Sequence, residues 1–226
     1  HKVLDGNAYA KEDYQTAISI YESLLSDNVS PELYYNLGNA YYRLDDMPHA
    51  ILNYERALLL SPGDSDIRFN LQMARNKTID KIIPESEMFF VTWYKSLVNI
   101  MGVDGWAILA IIMFALAAIL ILLYVFTDVV IIRKIGFFGA GLSMIIFVVA
   151  NVFAYQQGNK VASYNGAIIM STANVKSTPA ENGTDLFVLH EGTRVDITDD
   201  SMNDWKEVRI ADGKEGWIET KKLELI

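Results

Sequence analysis

The hydropathy pattern of the chain contains two long, uncharged apolar segments near its middle. They cover Trp106–Phe126 and Ile135–Tyr155, and a short polar break that holds Arg133 and Lys134 separates them. Because an α-helix rises 1.5 Å per residue, about 21 residues span about 30 Å, the thickness of the hydrocarbon core of a bilayer. The pattern therefore predicts a transmembrane hairpin. Its two helices and the turn between them are assigned to residues 105–127, 135–156 and 128–134.

The N-terminal flank has a helical repeat pattern. Residues 31–64 form a 34-residue unit in which two amphipathic helices surround a polar turn at Asp45 and Asp46. Small and large apolar residues alternate where two helices approach closely: Leu37, Gly38, Tyr41, Ala50, Tyr54 and Ala57. An earlier copy repeats the Gly-Asn-Ala-Tyr motif of Gly38–Tyr41 at Gly6–Tyr9, and a partial third copy near Asp66 is interpreted as a terminal helix.

This unit resembles the tetratricopeptide repeat, with Tyr34 at a position where that family often has Trp. The resemblance implies an all-α solenoid over residues 1–78, with a concave groove lined by the first helix of each pair. The residues predicted to face the groove are Tyr35, Asn39, Tyr42 and Arg43, together with Val3 and Asn7 from the first copy. The groove would bind an extended peptide or a partner helix; the alternative is that the tyrosines pack the scaffold.

The segment from 79 to 104 joins the repeat region to the hairpin. It is apolar from Met88 to Ile100 and carries Trp93 and Tyr94 beside the first spanning segment. Aromatic residues of this kind concentrate at membrane–water interfaces, so we interpret the segment as a linker followed by a helix at the membrane surface. The alternative is a buried helix of the repeat domain.

The second spanning segment is rich in small residues, which favour close contact with the first span or with another membrane protein. They are Gly136, Gly139, Ala140, Gly141 and Ser143. Neither span holds an ionisable side chain of the kind that proton relays need, which disfavours a transporter or channel. Arg133 and Lys134 predict that the turn faces the cytoplasm and that both flanks are periplasmic.

The C-terminal flank changes to short alternating strands and tight turns. Thr193–Ile197 and Trp205–Ile210 alternate, and Asp212-Gly213 turns the chain back into Glu215–Ile218. This pattern resembles bacterial SH3 domains and implies an all-β barrel within residues 157–226. We expect Trp205 to be partly exposed on a binding surface and Trp217 to be largely buried in the barrel.

Charge and composition exclude several function classes. The net charge of −9 and the lack of a basic stripe argue against nucleic acid as a partner. The absence of cysteine excludes disulfides and sulfur-ligated zinc. The three histidines lack metal-ligand spacing, and no nucleophile or phosphate-binding motif appears, so we predict a non-enzymatic protein without cofactors or metals.

The order of modules resembles the BatE proteins of the Bacteroides aerotolerance (Bat) operon. The fold class is a multidomain membrane protein with a tetratricopeptide solenoid, a two-helix transmembrane hairpin and an SH3-like barrel. The resemblance implies a scaffold in the bacterial inner membrane with a role in aerotolerance or stress response. The implied partners are other Bat-family membrane proteins with von Willebrand A domains and an associated MoxR-type AAA+ ATPase.

A second interpretation comes from the barrel. Bacterial SH3 domains often bind cell-wall peptides, so the chain could instead grip peptidoglycan and recruit an enzyme through its repeats. The chain begins at His1, and we expect that a cleaved secretory signal preceded it.

Overall fold

The computed structural model describes residues 13–84 and 86–226. The chain divides into two compact units. One contains residues 1–88 and 164–226, and the other contains residues 89–163.

Four helices in the described part of the first unit form the repeat region. They are α1 (Tyr14–Asp27), α2 (Pro31–Arg43), α3 (Met47–Leu60) and α4 (Ser65–Lys77). Each begins after a polar side chain that accepts a hydrogen bond from a backbone N–H of the first turn; these caps are Asp13, Ser30, Asp46 and Asp64. Such caps satisfy amide groups that a helix start leaves without partners, which is why the helices begin at these residues.

Close packing between α2 and α3 depends on a glycine. A Cβ on Gly38 would lie 2.7 Å from the ring of Tyr54, a side chain that is 1% exposed. The alternation of small and large residues in the sequence thus corresponds to direct helix–helix contact. The turn is tight, because Asp45 has a positive φ of 61° and Asp46 already caps α3.

The second unit consists of α5 (Phe89–Val98) and a hairpin of α6 (Val103–Phe126) and α7 (Val130–Ala162). Both hairpin helices are long and apolar enough to cross a membrane, and only 11% of the most apolar window of each is buried. The core helix of a soluble protein would be mostly buried. The hairpin therefore indicates association with a membrane.

The boundaries of the hairpin differ from the prediction in two places. The turn expected at 128–134 is shorter, because α7 already begins at Val130 and includes Arg133 and Lys134. The expected barrel boundary at 157 lies within α7, which continues to Ala162. Charged and polar residues continue a helix without cost to its backbone hydrogen bonds, so the end of an apolar segment does not mark the end of a helix.

The buried residues of α7 follow a seven-residue spacing, and three of the four are small. The buried positions of α7 are Gly136, Ser143, Ala150 and Gln157. A Cβ on Gly136 would lie 2.8 Å from the carbonyl oxygen of Leu120, so the backbones are in contact there. Gly141 has nothing within 4 Å of its Cβ position and faces away from α6. A sustained heptad of small residues is typical of close antiparallel packing between helices.

Seven antiparallel strands form the barrel region of the first unit. They are β1 (Gly166–Ile169), β2 (Ala173–Lys176), β3 (Asp185–Leu189), β4 (Arg194–Asp199), β5 (Trp205–Arg209), β6 (Glu215–Glu219) and β7 (Leu223–Leu225). Their order in the sheet is β3-β2-β6-β5-β4-β1-β7, and a 3₁₀ turn at Thr220–Lys222 precedes β7. The core of the sheet contains Val175, Val208 and Ile218, all fully buried.

The repeat region and the barrel share a core, although the sequence predicts them as two modules on opposite sides of the hairpin. Ala167 and Ile169 of β1 pack into the barrel, whereas Ile168 between them packs with Ile51 and Leu52 of α3. Every residue of β1 is buried. Because successive side chains of a strand point to opposite faces, β1 has one core on each side.

Polar contacts reinforce this junction. Asp80 Oδ2 accepts hydrogen bonds from the backbone N–H of His190 (2.8 Å) and from the Thr193 hydroxyl (2.7 Å). The Arg56 guanidinium donates to Glu224 Oε1 at 3.1 Å. Gly192, with a φ of +82°, lies where a Cβ would approach the methyl group of Thr78 to 2.7 Å.

Candidate binding surfaces

A pocket of about 380 Å³ lies on the repeat region. It brings together three of the residues predicted from the sequence, Asn39, Tyr42 and Arg43 of α2. The other lining residues come from α3 and α4, and they are Tyr54, Asn70 and Met73. Asn7 and Val3, the other predicted groove residues, lie outside the described residues.

Asn39 is held in a hydrogen-bond network of the scaffold. Its Oδ1 accepts from the Tyr54 hydroxyl at 2.7 Å and from Asn70 Nδ2 at 3.0 Å. Asn70 Nδ2 also donates to the hydroxyl of Tyr35 at 2.9 Å, and the rings of Tyr35 and Tyr54 are 6.1 Å apart. Tyr35 therefore contributes to the packing beneath the pocket and does not line it.

Arg43 and Tyr42 form the more accessible side of the pocket. Arg43 is exposed, and its guanidinium makes no hydrogen bond or ion pair with any of the described residues. The ammonium of Lys77 lies 4.4 Å from the centre of the Tyr42 ring and 3.0 Å from Asp45 Oδ1. The hydrogen bond to Asp45 raises the pKa of Lys77. The pocket thus combines a planar cationic donor, an aromatic ring and amide groups, a set suited to a polar peptide.

Helix α4 contributes to this pocket, which the sequence does not predict. Asn70 stands 34 residues after Asn36, at the equivalent place in the partial third copy. This spacing is the signal that could place Asn70 in the pocket, but the prediction of a terminal helix includes no binding residue there. The capping helix instead supplies Asn70 and Met73 to the pocket wall.

A second candidate surface lies on the outer face of the barrel. In the antiparallel pair of β5 and β6, Trp205 is opposite Glu219 and Trp217 is opposite Glu207. Lys176 of β2 is opposite Trp217 on its other side. Directly opposed residues share a face of the sheet, so both tryptophans lie on the same face, which we call the tryptophan face.

Trp217 lies outside the barrel core, contrary to the expectation that it fills the barrel. Ile218 is fully buried, whereas Trp217, one residue before it, is half-buried like Trp205. Successive side chains of a strand point to opposite faces, so only one of Trp217 and Ile218 can face the core. Ile218 faces the core, and Trp217 lies on the other face of the sheet, opposite Glu207. Gly216 leaves room for β2, since a Cβ there would lie 2.5 Å from Val175 Cγ1.

Charged groups surround the tryptophan face. Lys176 Nζ contacts Asp185 Oδ1 at 2.8 Å, and its hydrogen bond lowers the pKa of Asp185. Glu219 pairs with Lys221 at 2.6 Å, and that hydrogen bond lowers the pKa of Glu219. The two half-buried rings therefore present apolar surface between groups that stay charged at neutral pH.

Comparison with protein families finds one matching module in each flank. Residues 31–64 match the Tetratricopeptide repeat, and residues 171–224 match the Bacterial SH3 domain. The chain contains both modules, which confirms these two predictions from the sequence. No curated protein matches the chain. The two modules are typically non-catalytic binding domains, and no enzyme family is indicated. Within residues 13–84 and 86–226, no group of three acidic or histidine side chains is placed to hold a metal ion.

Proposed function

We propose that this chain is a membrane-anchored, non-enzymatic scaffold that binds a protein partner through the pocket of its repeat region. The observation that carries the proposal is the Arg43 guanidinium, which lines the pocket and makes no hydrogen bond or ion pair within the described part of the chain. Its five N–H donors suit a carboxylate or backbone carbonyls of a bound peptide.

The shared core supports the proposal that both flanks lie on the same side of the membrane. Ile168 of the C-terminal flank packs among residues of α3 in the N-terminal flank. Two segments cannot share a hydrophobic core across a bilayer, so a spanning hairpin has to enter and leave on the same side. Two spans satisfy this condition, and Arg133 and Lys134 favour a cytoplasmic position for the hairpin turn.

The more specific proposal is a Bat-type complex in the bacterial inner membrane. It rests on the resemblance of the module order to BatE proteins. The partners would be Bat-family membrane proteins with von Willebrand A domains and a MoxR-type ATPase, with a role in aerotolerance. Co-purification of such proteins with the tagged chain from native membranes would support it, and their absence would leave only the general scaffold.

The pocket is tested by cross-linking in native membranes. A photoreactive residue replaces Met73, which is 40% exposed and lines the pocket. We expect a discrete cross-linked protein that Arg43→Ala reduces at least about tenfold, because hydrogen bonds to charged groups contribute about 1.5–3 kcal/mol. The matched control is Arg68→Ala, an exposed arginine of α4 that is not among the lining residues. Because Arg68 donates a hydrogen bond to the Pro62 carbonyl at 2.7 Å, this variant also reports any loss caused by the scaffold alone.

The outcome separates binding from folding. If Arg43→Ala and Arg68→Ala reduce the product equally, the pocket is not the binding site. Asn39→Ala is unsuitable as the main variant, since it removes the acceptor of two hydrogen bonds within the scaffold. It would weaken folding together with binding.

A second candidate function is attachment to peptidoglycan through the tryptophan face. Two tryptophans on one face favour it, because flat aromatic surface can stack against sugar rings and bury apolar peptide groups. Sedimentation of the full chain with purified cell wall tests this possibility. We expect the wild type to sediment and a Trp205→Ala, Trp217→Ala double variant to remain in solution. Equal sedimentation of the two proteins would contradict it.

A further inference from the structure

Helix α5 carries an aromatic surface that no described residue covers. Phe89, Phe90 and Trp93 are 85%, 54% and 65% exposed. Large apolar side chains in a contiguous exposed patch usually mark an interaction surface. This exposure indicates that α5 contacts a partner through its aromatic residues.

The helix has separate apolar and polar sides. At about 100° per residue, Phe89, Phe90 and Trp93 fall on one side of α5, and Val98 faces α7 beside them. Lys95 lies on the opposite side and Thr92 on the flank between the two sides, and both are exposed. This division is typical of helices that lie in the plane of a membrane surface.

A set of polar contacts fixes α5 to the hairpin. The backbone carbonyl of Val98 accepts hydrogen bonds from Trp106 Nε1 and Gln157 Nε2, both at 3.0 Å. Gln157 Nε2 also donates to Asn99 Oδ1 at 2.9 Å, and Gln157 is 1% exposed. Buried polar groups that are fully engaged in this way specify one arrangement of the elements they join.

The attachment of α5 lies at the end of the apolar segment of α7. The uncharged apolar segment of α7 ends at Tyr155, and α5 is attached at the next two residues. Gln156 Oε1 accepts from the Tyr94 hydroxyl at 2.7 Å, and Gln157 makes the contacts described above. If the apolar segment fills the hydrocarbon core, these glutamines lie at the level of the lipid headgroups. The attachment therefore holds α5 at headgroup depth.

We infer that α5 is a membrane-surface helix whose aromatic side is embedded among the lipid headgroups, at a depth fixed by Gln157. The partner of this surface is a lipid bilayer. Continuity favours lipid, because the hairpin helix α6 begins at Val103, five residues after α5 ends at Val98. Trp93 and Tyr94 are the residue types that concentrate at this depth. The inference rests on the proposal that the hairpin spans a membrane.

The absence of cysteine allows a direct measurement of depth. Single cysteines in the full chain are labelled with an environment-sensitive fluorophore, and the protein is reconstituted into phosphatidylcholine–phosphatidylglycerol vesicles. The vesicles contain nitroxide lipids with the quencher at the headgroup or deep in the acyl chain. Phe89→Cys reports the aromatic side of α5, and Lys95→Cys reports its polar side. Leu116→Cys reports the middle of α6, and Ser201→Cys reports the barrel.

We expect the headgroup nitroxide to quench the label at Phe89→Cys at least about twofold more than the label at Lys95→Cys. Leu116→Cys should be quenched more by the deep nitroxide, and Ser201→Cys by neither. Addition of Gln157→Leu should broaden or shift the depth of the Phe89→Cys label, because the attachment to Val98 and Asn99 is lost.

The design separates failure of this inference from failure of the membrane anchor. If Leu116→Cys is quenched by the deep nitroxide but Phe89→Cys is not quenched by either lipid, α5 does not lie in the membrane. Its aromatic side would then bind a protein. If Leu116→Cys is not quenched, the hairpin does not span the bilayer and the proposed anchor is wrong as well.

Discussion

Replacement of Ile168 by alanine tests whether the repeat region and the barrel fold as one body. Ile168 belongs to the barrel in sequence, yet its side chain is fully buried among residues of α3. A substitution in β1 should therefore weaken the repeat region. Separate domains would respond separately.

The expected magnitude follows from the size of the change. Ile→Ala removes three carbon groups, at about 0.8 kcal/mol each, and leaves a cavity that adds to the loss. Buried Ile→Ala substitutions typically cost about 2–5 kcal/mol. Since 1.4 kcal/mol corresponds to a factor of ten, the slowest amides should exchange at least about tenfold faster.

The assay is hydrogen exchange of the full chain in lipid nanodiscs, with peptides from α3 and from the barrel read separately. The matched control is Ile83→Ala, which has the same chemistry at a side chain that is 83% exposed. We expect Ile168→Ala to accelerate exchange in α3 (Met47–Leu60) as well as in β1, and Ile83→Ala to leave both unchanged. Acceleration confined to the barrel would refute the shared core.

Three further predictions concern other parts of the molecule. Gly136→Ala should destabilise the hairpin in detergent unfolding, because the new Cβ would lie 2.8 Å from a backbone oxygen of α6. Gly141→Ala should not, because no atom lies within 4 Å of its Cβ position, and equal effects of the two variants would contradict the assigned contact face. Burial raises the pKa of Asp80, but hydrogen bonds from His190 and Thr193 outweigh it, so the folded pKa lies below the unfolded value of 3.8. A carboxylate whose pKa is depressed in the folded state stabilises the fold above the unfolded pKa and loses that contribution as the pH falls through the folded pKa. The unfolding midpoint should therefore decrease as the pH falls below about 4, and Asp80→Asn should make this decrease smaller. Trp217→Ala should leave the barrel folded while Ile218→Ala should unfold it, as measured by near-ultraviolet circular dichroism; the opposite result would return Trp217 to the core.

The repeat unit and the hairpin could be predicted because their signals are local. The pairing of Gly38 with Tyr54 requires a small residue opposite a large one at a fixed spacing, and this alternation is visible in the sequence. The apolar segments of the hairpin are long enough that few other structures fit them. These features need no knowledge of distant parts of the chain.

The remaining features depend on contacts that are distant in sequence. The burial of Ile218 in place of Trp217 depends on which face of β6 meets the core, and an alternating strand is compatible with either choice. The run Gly166–Ile169 does not alternate at all. A short continuous apolar run is typical of a strand buried on both faces, and this signal was available but indicated no partner. Its partner, α3, lies more than a hundred residues earlier.

The residues of the candidate pocket could be predicted from the sequence only in part. The residues Asn39, Tyr42 and Arg43 were predictable because they lie on one face of a single helix. The scaffold role of Asn39 was not, because it requires the hydroxyl of Tyr54 and the amide of Asn70 on two other helices.

The proposed scaffold requires that a spanning hairpin hold the pocket and the tryptophan face on one side of a membrane. Single cysteines at Ser26, Asp128 and Ser201, all exposed or in exposed turns, test it with a membrane-impermeant thiol reagent in intact spheroplasts. We expect Ser26→Cys and Ser201→Cys to react at once and Asp128→Cys to react only after the membrane is permeabilised. Reaction of Ser26→Cys and Ser201→Cys from opposite sides, or of all three from the same side, would contradict it.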